Sequence, residues 1–130
     1  MVGIVLISHS RSLAEGAADL AAQIGRGVQV RAAGGDDSGG LGTSADLIAK
    51  AVAEADQGDG VLLIPDLGSS VLTARTLLAD FANDRDAPPL VLADAPFVEG
   101  AVAAAVAAST GLDLRAVADA AREARGIRKF

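Results

Sequence analysis

The chain has no cysteine, no tryptophan and no tyrosine, and only one histidine and three phenylalanines among its 130 residues. Without thiols there can be no disulfide, no thiolate metal site and no cysteine nucleophile. With a single histidine and no cysteine, a zinc site would have to rest on carboxylates alone, so neither a metal nor a cofactor is expected. The shortage of rings argues against modules that stack bases on aromatic side chains. Eleven basic against 17 acidic side chains give a net charge of −6, the wrong sign for a phosphate backbone, so nucleic acid is not an expected partner. Long apolar runs are missing as well. The most apolar later stretch, Val98 to Ala108, falls short of the roughly 20 residues that cross a bilayer. MVGIVLISHS lacks a basic leader and a small-residue cleavage site, so it does not read as a signal peptide. The expectation is a cytoplasmic protein with no membrane insertion.

What the sequence does have is a large pool of alanine, valine and leucine, with 51% apolar residues overall. Residues 1–130 are read as one domain, long enough to bury a core. Val2–Ser8 (VGIVLIS) is a near-continuous run of branched residues, the pattern of a strand buried on both faces. Ser12-Leu13-Ala14-Glu15 has capping-box spacing, and Leu13, Ala17, Leu20, Ala21 and Ile24 then share one helical face. Val28–Ala33 is a second strand, followed by the glycine-rich loop Gly34–Gly42. Thr43 or Ser44 can cap a second helix that buries Leu47, Ile48, Ala51, Val52 and Ala55. Gly60–Ile64 is a third strand. It is followed by a helix carrying Leu72, Leu77, Leu78 and Phe81. Leu90–Ala93 is a fourth strand, and helices begin near Phe97 and after Asp113. This alternation predicts right-handed βαβ units: an α/β protein in three layers, α/β/α, with a mainly parallel sheet in the order 2-1-3-4. The helix from Phe97 to Ala108 is apolar on almost every side, which suits either plain alanine enrichment or a homodimer interface packed through small residues.

In an open parallel sheet, sites form beyond the carboxyl ends of the strands, where strand order reverses. Ser8-His9-Ser10, the glycine-rich loop, Asp66 and Asp94 stand at the four strand ends. An order of 2-1-3-4 sets His9 and Asp66 face to face across the crevice. A carboxylate bonded to one imidazole N–H fixes the tautomer and leaves the other nitrogen free to attack. Helix N-termini and glycine loops supply N–H groups suited to phosphate. The candidate phosphate contacts are Ser10, Gly42, Thr43, Ser44, Gly68 and Ser69. A lone histidine in a turn can be inert, and Asp66 can be a plain helix cap. It is the shared strand-end position that favours a site accepting phosphate on His9. GGDDSGGLGTS is not a P-loop, because no lysine precedes Thr43-Ser44 and two aspartates would repel a triphosphate. The Gly-x-Gly-x-x-Gly fingerprint of dinucleotide binding is missing after the first strand.

"GIVLISHSRSLAEG", "AAGGDDSGGLGTS", "GVLLIPDLGSS" and "LADAPFVEGAVAAAVAA" together resemble the mannose-type enzyme IIA family of the bacterial phosphoenolpyruvate:sugar phosphotransferase system. Asp-Leu-Gly-Ser and Asp-Ala-Pro-Phe-Val-Glu-Gly are closer to its branch of phosphotransfer subunits of phosphoenolpyruvate-dependent dihydroxyacetone kinases. The resemblance implies that His9 receives a phosphoryl group from phospho-HPr and passes it to ADP on the kinase's nucleotide-binding subunit. It implies that Asp66 is the carboxylate beside the histidine and that the subunit is a homodimer. Some family members carry HPr-like and enzyme-I-like domains after this one, and the 130 residues correspond to the IIA-like domain alone. The alternatives are an enzyme IIA domain of a sugar transporter, a receiver-like domain phosphorylated on Asp66, and a non-catalytic interaction module. A receiver would want paired acids after the first strand and a late lysine, whereas the only lysines are Lys50 and Lys129.

Overall fold

A computed structural model describes residues 1–130. Its elements are β1 (Gly3–Ser8), α1 (Arg11–Ile24), β2 (Val30–Gly34), α2 (Ala45–Ala55), β3 (Val61–Pro65), α3 (Gly68–Phe81), β4 (Leu90–Leu92), α4 (Phe97–Ser109) and α5 (Leu114–Glu123). A short 3-10 turn, Ala124–Gly126, follows α5. The four strands form one sheet in the order β2-β1-β3-β4, and all three pairings are parallel. The expected class and strand order are therefore what the chain adopts. No helix is long and apolar enough to cross a membrane.

Period-two alternation divides the strands between two cores. Ile4 and Leu6 of β1 with Leu62 and Ile64 of β3 face one side, where α1, α4 and α5 close over them. Val5 and Ile7 with Val61 and Leu63 face the other, covered by α2 and α3. Both central strands are buried throughout, which explains their unbroken apolar sequence.

Some details differ from the sequence reading. The cap of α1 is Ser10, whose hydroxyl accepts from the Leu13 N–H at 3.3 Å; Ser12 lies inside the helix. The buried face of α1 is Ala14, Ala17, Ala18 and Ala21, while Leu13, Leu20 and Ile24 are 44–48% exposed. The reason is close packing. A Cβ placed on Gly34 would stand 2.6 Å from the Ser10 carbonyl oxygen, and one on Gly25 would stand 2.6 Å from the Ala105 backbone. Backbones this near leave room only for alanine and glycine between them. Of the four apolar residues read on the third helix, Leu77 is buried, Leu78 and Phe81 are half-buried and Leu72 is exposed, and Ser70 and Ala74 complete the buried side of α3.

The apolar helix α4 is central to one layer, packed against α1, α5 and the sheet. Its alanines 101, 104, 105, 107 and 108 are buried within the chain. Most of its all-round apolarity is thus accounted for internally, leaving Val98 and Val106 exposed and Val102 half-buried on the outer side.

Candidate functional site

The site lies where β1 and β3 end side by side. Ile7 pairs with Pro65, and the Asp66 N–H donates to the Ile7 carbonyl at 2.9 Å, carrying the ladder one residue past the strand. This register delivers the Asp66 side chain to Ser8 and His9 without a long loop. The adjacent carboxyl ends of the two central strands thus fix the pair in place, as the strand order predicts.

Asp66 accepts five hydrogen bonds. Its Oδ1 takes them from His9 Nδ1 at 2.9 Å, Ser70 Oγ at 2.7 Å and the Leu67 N–H at 2.6 Å. Its Oδ2 takes them from Ser8 Oγ at 2.7 Å and the His9 N–H at 3.1 Å. The carboxylate is only 9% exposed, against 26% for the imidazole. Burial alone would raise the Asp66 pKa, but the bonds from Ser70, Ser8 and His9 outweigh it and hold the carboxyl well below the usual carboxylate range. Asp66 is therefore an ionised acceptor, and both of its oxygens are occupied. That occupancy argues against the receiver-like reading, which needs an open carboxylate oxygen to take phosphate.

Because the ionised Asp66 can only accept, the proton it meets is carried by Nδ1, and in the neutral ring this leaves the lone pair on Nε2. Nε2 points outward to the Ser69 hydroxyl, which can donate to it. Ser69 sits in the first turn of α3, where the N–H groups of Gly68 and Ser69 have no carbonyl four residues back within the helix. Leu67 caps this helix without any side-chain bond. The result is a nucleophilic nitrogen beside a helix N-terminus, an arrangement suited to an incoming anion.

The other candidates divide. Gly68 and Ser69 stand with His9. Gly42 closes the loop on the site from the side: its N–H donates to the His9 carbonyl at 3.0 Å, with a φ of 143° that favours glycine. Thr43 Oγ1 lies 2.9 Å from Thr73 Oγ1, tying the loop to α3. Ser10 serves as the cap of α1. Ser44 caps α2 through the Leu47 N–H, donates to Asp37 and is buried, so it is turned away from His9. Asp94 is exposed at the end of β4 and pairs with Arg125. The glycine-rich loop is held by its own acids. Asp36 accepts from the Ser38 hydroxyl and from the N–H groups of Gly40 and Ser38, bonds that lower its pKa.

Sequence reasoning missed Ser8 and Ser70, both fully buried and both bonded to Asp66. A serine closing an otherwise apolar, doubly buried strand was the available signal for Ser8. Ser70 resembles any first-turn serine, and only its burial distinguishes it.

The family EIIA-man, described as the PTS system fructose IIA component, matches residues 3–118. The chain is 36% identical over 128 residues to the phosphoryl donor subunit DhaM of the PEP-dependent dihydroxyacetone kinase of Providencia stuartii, covering 95% of this chain and 27% of that one. It is 36% identical over 107 residues to the phosphoryl donor subunit DhaM of PEP-dependent dihydroxyacetone kinase 2 of Listeria innocua, covering 82% of this chain and 85% of that one. It thus spans about a quarter of the first relative and most of the second. The crystal structure of the unknown-function protein EF1359 matches with a TM-score of 0.83 and 32% identity, covering 99% of this chain and 98% of that one.

Proposed function

The chain belongs to the EIIA-man family, and from that membership we propose that it is a phosphohistidine carrier with His9 as the acceptor. The observation that carries the reading is the orientation of the imidazole: Nδ1 is held by Asp66 at 2.9 Å and Nε2 faces out beside Ser69. In the forward step the Nε2 lone pair attacks the phosphorus of a donor phosphohistidine. The donor N–P bond breaks, and its electron pair returns to the donor ring. His9 becomes a phosphoimidazolium that keeps its Nδ1 proton, and Asp66 balances the new positive charge. In the second step an acceptor oxygen attacks the same phosphorus, and the N–P electron pair returns to Nε2. The ring ends in the tautomer in which it began, so neither step needs a proton from water. The free N–H groups of Gly68 and Ser69 and the Ser69 hydroxyl are placed to hold phosphoryl oxygens, so the work of the site is positioning and charge stabilisation.

The donor is phospho-HPr, and the acceptor is ADP on the nucleotide-binding subunit of a dihydroxyacetone kinase. The names of the Providencia and Listeria relatives, phosphoryl donor subunits of PEP-dependent dihydroxyacetone kinases, support the link to such a kinase. The subunit acts as a cytoplasmic homodimer joined through the outer side of α4, where Val98, Val102 and Val106 form an apolar ridge four residues apart. The assignment is tested by charging the chain with phosphoenolpyruvate, enzyme I and HPr, then adding the nucleotide-binding subunit with ADP. Loss of the phosphate from this chain with matching formation of ATP is the expected result. A charged chain that only sugar-transporter components discharge would place it in the sugar branch.

A further inference from the structure

Two buried hydroxyls at the site have no part in the steps above. Ser8, the last residue of β1, and Ser70, in the first turn of α3, are both 0% exposed. Neither caps a helix, the cap of α1 being Ser10 and that of α3 Leu67, although Ser8 Oγ also accepts the Ser10 N–H at 3.0 Å. Each has a single proton to donate, and both protons go to Asp66, one to each carboxylate oxygen, at 2.7 Å. Ser70 Oγ also lies 3.2 Å from His9 Nδ1, against the N–H···O contact itself. Filling a core does not account for this. A methyl group would fill the space, whereas two buried hydroxyls aimed at one ion change its chemistry.

The chemistry at stake is the position of the Nδ1 proton. Phosphorylation of Nε2 withdraws electron density and makes the Nδ1 proton more acidic. A basic carboxylate 2.9 Å away would then take it. The products would be a neutral phosphoimidazole and a neutral acid, and the departing ring would have to leave as an anion. If the proton stays on the ring, the leaving group is a neutral imidazole, and the phosphoryl group departs readily. Hydrogen bonds to the ionised carboxylate lower its basicity. The depressed pKa of Asp66, achieved against its burial, agrees with this sense.

We propose that Ser8 and Ser70 are positioning residues of the relay, whose hydroxyls occupy Asp66 so that the Nδ1 proton stays on His9 while the phosphoryl group is bound. The inference rests on the carrier reading and deepens it: the two serines set how easily the carrier discharges, not whether it charges.

The test compares wild type, Ser70→Ala and Ser8→Ala after charging with phospho-HPr. Single-turnover discharge to the ADP-loaded subunit and the ¹⁵N resonances of the phosphorylated His9 ring are measured together. Discharge in each variant is expected to fall roughly tenfold or more, the scale of one hydrogen bond to a charged group. The extent of charging should stay near that of wild type, and the Nδ1 resonance should move toward the unprotonated position. A purely structural role would leave that resonance in place. Variants that discharge at the wild-type rate with an unmoved Nδ1 signal overturn the inference alone. A wild-type chain that takes no phosphate overturns the carrier reading beneath it. Should Ser70→Ala fail to fold, Ser8→Ala makes the same test on the other carboxylate oxygen.

Discussion

A histidine becomes a dependable nucleophile when its other nitrogen is claimed, and in this chain the claim is made by one carboxylate with five donors around it. Replacing Asp66 by Asn leaves an acceptor for Nδ1 but removes the counter-charge to the phosphoimidazolium. Phosphoryl transfer should fall on the order of a hundredfold or more, while affinity for the donor protein changes little, as rapid-quench kinetics at varied donor concentration would show. The same residue links the site to stability in acid. Its folded pKa lies below its unfolded value, so its contribution is complete above the ordinary carboxylate range, near pH ~3.9, and is lost as pH falls below it. Urea unfolding of wild type and Asp66→Asn should therefore show a stability gap at pH 6 that narrows below pH ~4. His9 and Asp66 were legible in the sequence because each ends a buried strand, and strand order alone brings those ends together. Ser8 was placed at the same strand end but given no role of its own, and Ser70 was not legible, because a serine in a first helical turn reads first as a cap.

Sequence periodicity located the elements well and misjudged one helix face. Leu13, Leu20 and Ile24 mark an apolar stripe on α1, yet the helix turns its alanines inward because Gly34 and Gly25 allow backbones to approach too closely for larger side chains. Hydrophobicity ranks leucine above alanine, but the width of the gap decided which fits. Two adjacent substitutions separate the readings. Ala21→Leu, at a fully buried position, should cost roughly 1–3 kcal/mol through overpacking. Leu20→Ala, at a position 44% exposed, should cost less than about 1 kcal/mol. Denaturant melts at a fixed protein concentration measure both, and the reverse order would restore the leucine face to the core. Strand β4 is a milder case: a three-residue edge strand that periodicity extended to Ala93.

At the scale of the whole molecule, the sheet order and the two cores follow from the strands' alternation, so the fold was legible almost entirely from pattern. The alanine-rich α4 was the ambiguous element, since burial within the chain and burial against a second copy use the same residues. The fold assigns five of its six alanines to the interior and leaves the valine ridge on the outer side. If that ridge joins two copies, Val106→Asp should lower the mass seen by sedimentation equilibrium to that of one chain while circular dichroism stays native. An unchanged mass would place the contact elsewhere. The central claim, phosphoryl transfer through His9, is tested most directly by intact mass after incubation with phosphoenolpyruvate, enzyme I and HPr, with the product divided between acid and base. One added phosphate that acid removes and base preserves, absent from His9→Ala, is the predicted result. A phosphate that persists in His9→Ala, or one that base removes and acid spares, would contradict it.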